Sequence, residues 1–299
     1  MHEVFAAVRI WQLSDKQGLN KHATATAERI FGRKRWNDCV NEVDAGLDDR
    51  ERLLQLTFAI LHSGEFYDDP SDDIRTIGNM EMATIVYVDE QLPKMENWPI
   101  WVADKKNAGG PVGIEQVFDV VLVYDDGRTI RYIGTLDGLV LDEYRSKRPT
   151  LDENKTASRL DDGWIASFDM SHQVTGYLAC ASTYFGFPIW NSRIQGLKIK
   201  PAHRGDDKYV KLVSRNANNV RAWASWVRHT VELFEAYRSD WENAPRYTHS
   251  CNRYFRPCSL IPFCSDSPDG RVEQWAQMET PAGSPSERAV RGDRSVREI

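Results

Sequence analysis

Three short stretches of this chain place carboxylates, a lysine and an amide where a purely structural strand or helix has no need of them. The densest is Asp152-Glu153-Asn154-Lys155-Thr156. Residues two apart share a face of an extended strand, so Glu153 and Lys155 point the same way. Asp137, in Gly134-Thr135-Leu136-Asp137-Gly138, lies on the preceding extended segment and joins them at the sheet end if the two segments pair. Two carboxylates with an amine in reach are the groups that metal-assisted phosphodiester hydrolysis needs. They offer hard oxygen donors for Mg²⁺ or Mn²⁺, and a cation beside the attacking water or the charge developing at phosphorus. A Glu-x-Lys triplet alone more often marks a solvated pair on an exposed edge strand.

The third stretch changes that balance. Gln173 and Tyr177 are four residues apart, hence on one helical face, in the segment after the Glu153 strand. Taken in order, Gly134-x-x-Asp137, Glu153-x-Lys155-Thr156 and Gln173-x-x-x-Tyr177 resemble the PD-(D/E)XK nuclease superfamily, specifically its RecB-like exonuclease branch. Leu136 stands where the family name has proline. The specific part of the likeness runs from Gly134 to Tyr177, and a looser one from residue 2 to 264. The resemblance implies an α/β (α+β), restriction-endonuclease-like fold: a mixed central sheet flanked by helices, with the site at the sheet edge where the first two strands splay. It also implies that Asp137 and Glu153 hold Mg²⁺ or Mn²⁺, helped by His2 and the main-chain carbonyl of Asn154, and that Lys155 orients the attacking water. Gln173 and Tyr177 would touch the backbone of the cleaved strand. His2, in MHEVFAAVRIW, occupies a place similar to the metal-binding histidine that such proteins carry on an upstream helix. Glu115 looks like the acidic residue on the strand before the G-x-x-D motif, where it serves as a ligand, a structural charge or a DNA-facing one. The activity implied is metal-dependent DNA hydrolysis, exonucleolytic in type, in the recombination, repair or replication of bacteria or their viruses.

Five cysteines, an odd number, make a disulfide framework unexpected. Cys39 and Cys180 are isolated, whereas Cys251, Cys258 and Cys264 crowd together. That trio is similar to the C-terminal element of iron–sulfur nucleases such as the AddB nuclease domain and the CRISPR adaptation nucleases, and so implies a [4Fe-4S] cluster. Those proteins draw a fourth cysteine from the N-terminal side of the histidine helix. No cysteine precedes His2 here and Cys39 follows it, so a cluster with a non-cysteine fourth ligand, zinc or plain reduced thiols remain open. Two other readings of the whole chain stay open beside the nuclease: a catalytically inactive nucleic-acid-binding or scaffold protein of the same fold, and a zinc-binding interaction module centred on the cysteines.

The elements that must position these residues are legible in outline. Residues 1–100 read as a helical region. Val4, Phe5, Val8 and Trp11 form an apolar stripe over His2 to Leu13, and Asp48 with Glu51 caps a helix through Leu61 that stops near Gly64. A third helix is expected over Asp72 to Val88. Residues 101–245 read as the nuclease core, in which Ile114 to Tyr124 and Thr129 to Asp142 form a hairpin about Asp125-Asp126-Gly127-Arg128. A strand over Thr150 to Thr156 follows, then a helix over Asp162 to Tyr184, strands at Pro188 to Lys200 and Lys208 to Val213, and a helix from Asn216 to about Trp241. Residues 246–264 form the cysteine module and 265–299, rich in Ser, Pro, Gly and charge, a disordered tail.

With 299 residues, 41% of them apolar and 27% charged, the chain has the composition of a globular protein. A net charge of -6 argues against coating nucleic acid through bulk positive charge but leaves room for a local track. Lys105, Lys106, Arg145 to Arg148, Lys198, Lys200, Arg221 and Arg228 are the candidates for a DNA track, and Trp190, Trp223 and Trp226 for base stacking, two or more of the three being expected in the core. An absent leader and the lack of a long apolar run lead to the expectation of a soluble, cytoplasmic protein with no membrane partner.

Overall fold

Local sequence chemistry starts and stops most of the elements. The computed structural model describes residues 1–64, 74, 76–108, 110–145, 147–200, 208–238 and 297–298. Five helices come first: α1 (His2–Trp11), which runs on into a π-helical turn, α2 (Asn20–Phe31), α3 (Arg33–Asn41), α4 (Asp49–Ser63) and α5 (Ile77–Gln91). Asp48 caps α4 by accepting from the Glu51 amide at 2.9 Å, a contact that contributes about 1 kcal/mol. The expected start of the third helix at Asp72 is corrected to Ile77: Thr76 is extended and its hydroxyl caps the Asn79 amide, so α5 begins there.

The strands follow as β1 (Ile114–Val123), β2 (Thr129–Asp142), β3 (Arg148–Ala157), β4 (Asn191–Lys198) and β5 (Lys208–Ser214). They form a mixed sheet in the order β5-β4-β3-β2-β1, to which Arg297–Glu298 adds a two-residue sixth strand, β6, parallel to β1. The β1/β2 hairpin closes at Gly127, whose φ of 80° suits a residue without a Cβ. β2 and β3 are antiparallel, β3 and β4 parallel, and β4 and β5 antiparallel. The parallel step needs a crossover, supplied by α6 (Asp162–Ala166) and α7 (His172–Phe185). Here one long helix was expected and two are present: Asp161 caps the first, and Ser171, extended, caps the second at the Val174 amide. α8 (Ala217–Tyr237) is the last helix among the described residues.

β3 is the central strand of the five, flanked by β2 and β4, and Thr150 to Asn154 are all buried. Glu153 is buried and Lys155 half-buried, so the pair is not a solvated one on an exposed outer strand. One apolar core joins α1 to α5 with Ile100, Val112, Ile114, Val140, Leu197 and Ile199, so the helices of residues 1–100 and the sheet share a single interior. Met1–Trp223 with Val296–Ile299 is one compact unit and Ala224–Ser295 a second, of which residues 224–238 are described. The cysteine module at 246–264 lies outside the described residues, as does the tail at 265–299 apart from Arg297–Glu298. Among the described residues no helix is long and apolar enough to cross a membrane.

Candidate active site

Five elements converge at one end of β2 and β3. The ladder between these strands runs from Asp142↔Arg148 to Leu139↔Leu151 and stops there, leaving Asp137 on one strand and Asp152 to Lys155 on the other beyond the last pair. Asp137 reaches across the opening. Its Oδ2 accepts the Asn154 amide at 2.8 Å, so the two strands stay joined through a side chain instead of a backbone pair.

Successive residues of β3 look to opposite sides, and the two sides carry different chemistry. On one, Asp152 accepts from Arg9 of α1 at 3.1 Å, from Arg193 at 2.7 Å and from Gln195 at 2.8 Å, all buried. Burial alone would push its carboxyl up, but the guanidinium groups of Arg193 and Arg9 overcome that and hold it down at about 2. On the other, Glu153 meets Lys155 at 2.5 Å and the Gln173 amide, from α7, at 3.5 Å. Burial, with the Asp137 carboxylate adding, pushes Glu153 up to about 7 against the pull of Lys155. Burial also opposes the charge on Lys155, yet Glu153 outweighs it and the ammonium is held above its ordinary value. Tyr177, one turn beyond Gln173, sets its ring edge-on to Phe118 at 5.7 Å.

His2 stands at the mouth, 70% exposed, with Nδ1 3.6 Å from Asp137 and 4.0 Å from Glu115. Both contacts are too long for hydrogen bonds and become ion pairs when the imidazole is protonated. The Glu115 carboxylate, against partial burial and with Asp137 helping, raises the imidazole above its usual value. His2, Glu115 and Asp137 each offer a donor atom, all within 4.8 Å of one another. The β1/β2 register, with Ile114 opposite Gly138 and Gln116 opposite Leu136, sets Glu115 against Asp137, and two like charges in that position repel. Glu115 Oε1 is buried without a hydrogen-bond partner among the described residues. One imidazole nitrogen and two carboxylates, one oxygen of them unsatisfied, are a donor set that fits a hard divalent cation. Glu153 is not one of this closest trio; it couples to it through Asp137. A cleft of about 220 Å³ lined by His2, Glu3, Ala6, Arg29, Ile30 and Glu115 opens beside these donors.

Glycines and arginines complete the site. A Cβ at Gly134, the glycine of the G-x-x-D motif, would lie 2.5 Å from the Phe118 ring, so packing explains its place. Glu115 has a left-handed φ of 44°, and Arg29 of α2 donates to the carbonyls of Ile114 at 2.6 Å and Glu115 at 2.8 Å, bracing that segment. Sequence pattern alone does not single out Arg9, Arg29 or the network around Asp152. The signal that could have found Arg9 is a lone charge among eight consecutive buried residues, Val4 to Trp11.

The candidate nucleic-acid contacts differ in their surroundings. Lys105 and Lys106 are exposed, Arg145 and Lys147 sit 3.7 Å from Asp142 and Glu143, and Arg228 pairs with Glu232 at 2.8 Å. Only Trp223 of the three tryptophans is core, at 2% exposure beside Gly176; Trp190 and Trp226 are 41% and 43% exposed, which corrects the expectation that most were buried. Cys39 and Cys180 are buried free thiols.

No known family model matches this chain, and no curated protein sequence matches it.

Proposed function

We propose that this chain is a divalent-metal-dependent deoxyribonuclease of the RecB-like exonuclease type. The observation that carries the reading is convergence: His2, Glu115, Asp137, Glu153, Lys155, Gln173 and Tyr177, drawn from α1, β1, β2, β3 and α7, occupy the open end of one strand pair. Structural charge does not require them to meet, least of all with two carboxylates opposed and one oxygen unsatisfied.

In this reading Asp137, Glu115 and His2 hold the cation. When bound, a divalent cation supplies charge to the phosphate oxygens and acidifies water. Glu153, held beside Lys155 and raised by burial and Asp137 above the ordinary carboxylate range before any cation binds, is placed to accept a proton from the attacking water. Lys155 keeps Glu153 oriented and places a compact positive charge beside the phosphate in the transition state. Gln173 and Tyr177 line the entry on α7 and contact the DNA backbone, which suits cleavage without regard to sequence. Recombination, repair or replication is the proposed setting, and Cys251, Cys258 and Cys264 the proposed ligands of a [4Fe-4S] cluster or zinc.

The deciding experiment is digestion of end-labelled linear DNA beside a closed circle, with Mg²⁺ or Mn²⁺, by the wild type and by Lys155→Ala. Metal-dependent loss of the linear substrate alone, absent in the variant, is the expected result. No cleavage by anaerobically prepared wild type removes the catalytic reading. Iron with labile sulfide in the same preparation supports the cluster, and zinc without iron replaces it.

A further inference from the structure

Arg9 is buried at 3% exposure and is bonded to the main chain of both site strands. Past Leu139↔Leu151 the next opposed residues of β2 and β3 would be Gly138 with Asp152 and Asp137 with Glu153. If the ladder continued, Asp137 and Glu153 would face each other directly, two like charges about 5 Å apart. Instead the strands open and the Arg9 guanidinium occupies the gap. Its Nη1 donates to the Asp137 carbonyl at 2.6 Å, and its Nη2 to the Asp152 carbonyl at 3.0 Å and to Asp152 Oδ2 at 3.1 Å. One planar group thus takes a carbonyl on each strand. Gly138 makes room for it: a Cβ there would lie 2.9 Å from the Arg9 Cζ.

The same helix carries His2. Seven residues are close to two full turns, so His2 and Arg9 lie on one face of α1, about 10.5 Å apart along its axis. α1 therefore fixes two things together: where the imidazole stands and how far β2 is held from β3.

We propose that Arg9 is a positioning residue of the site. Its guanidinium sets the separation of β2 and β3, and through it the placement of Asp137 against Glu153 and His2, without touching cation or DNA. The proposal rests on the nuclease reading for its meaning but not for its test. Lysine is no substitute, since a single ammonium lacks the planar fork that reaches both strands at once.

The test uses the full chain with Arg9→Lys and, separately, Gly138→Ala, which keeps the arginine and crowds its seat. Melting temperature reports folding, Mn²⁺ titration followed by electron paramagnetic resonance of the free ion reports the site without DNA, and kcat and KM are taken on linear DNA. In folded variants Mn²⁺ affinity is expected to fall by about tenfold or more, with kcat lowered more than KM is raised. Unchanged Mn²⁺ affinity in the folded variants, with only the melting temperature moved, overturns the proposal. If Arg9→Lys does not fold, Gly138→Ala decides by the same readout. A wild type that binds Mn²⁺ but cuts no DNA ends the nuclease reading and leaves the positioning role to stand or fall on the titration; a wild type that binds no Mn²⁺ overturns both.

Discussion

Asp152 and Glu153 are neighbours on the same buried strand, and their surroundings are opposite. Asp152 has two guanidinium groups and an amide, and is held at about 2. Glu153 has one ammonium and a long amide contact, with Asp137 pressing on it, and stands at about 7. A fully compensated carboxylate is a structural part, because its proton affinity lies far from any working pH. An under-compensated one sits where it can exchange a proton near neutral pH, at a cost to stability, a condition that proton-transfer sites share.

That contrast can be broken by exchanging the losses. Glu153→Gln and Lys155→Ala are expected to lower DNA cleavage by about 10²–10⁴-fold, measured as kcat on linear substrate, while the protein stays folded. Glu153→Gln should in fact melt higher than wild type at pH 8 without cation. A carboxyl raised from 4.5 to about 7 binds more protons folded than unfolded, so wild-type stability falls as pH rises through that window, and the difference vanishes below 4.5. Equal melting at pH 8 would show that Glu153 is compensated after all.

Asp152→Asn is expected to do the reverse and destabilise by about 3–5 kcal/mol in denaturant unfolding, since it strands Arg9 and Arg193 in the interior. A carboxyl lowered from 3.8 to about 2 contributes stability above 3.8 and loses it as pH falls toward 2, so the gap between wild type and variant should close in acid. A smaller effect is expected at Lys208, whose Nζ is buried without a hydrogen-bond partner among the described residues. Burial, then Lys94, lowers it from 10.5 to about 7. Its charge opposes folding at pH 7 and below, and wild-type stability rises between 7 and 10.5. Lys208→Met should therefore stabilise by about 1–3 kcal/mol at pH 6 and by less at pH 10.

The hairpin was legible because Asp-Asp-Gly-Arg sits between two β-rich runs, and β3 because Glu153 and Lys155 obey the period of a strand. The cap at Asp48 was visible for the same reason: its chemistry is local. Asp152 was not, although it adjoins Glu153, because its partners come from residues 9, 193 and 195, and nothing in its own neighbourhood distinguishes it from a solvated charge. Glu115 was visible as a residue, but its left-handed backbone and the brace from Arg29 were not. Trp190 and Trp223 look alike in sequence, and what separates them is tertiary: Trp223 packs on Gly176 and Tyr132 and is buried, whereas Trp190 is exposed.

The reach of Arg9 has a consequence in time. Its acceptors lie 128 and 143 residues further along the chain. Contacts of that span are among the slowest to close, whereas the β1/β2 hairpin and the capped helices need only their neighbours. On refolding, far-ultraviolet signal should return ahead of Mn²⁺ binding at full affinity, and a chain still lacking β3 would have the helices of its N-terminal half but neither Glu153 and Lys155 nor the Asp152 carbonyl that Arg9 needs to set Asp137 in place.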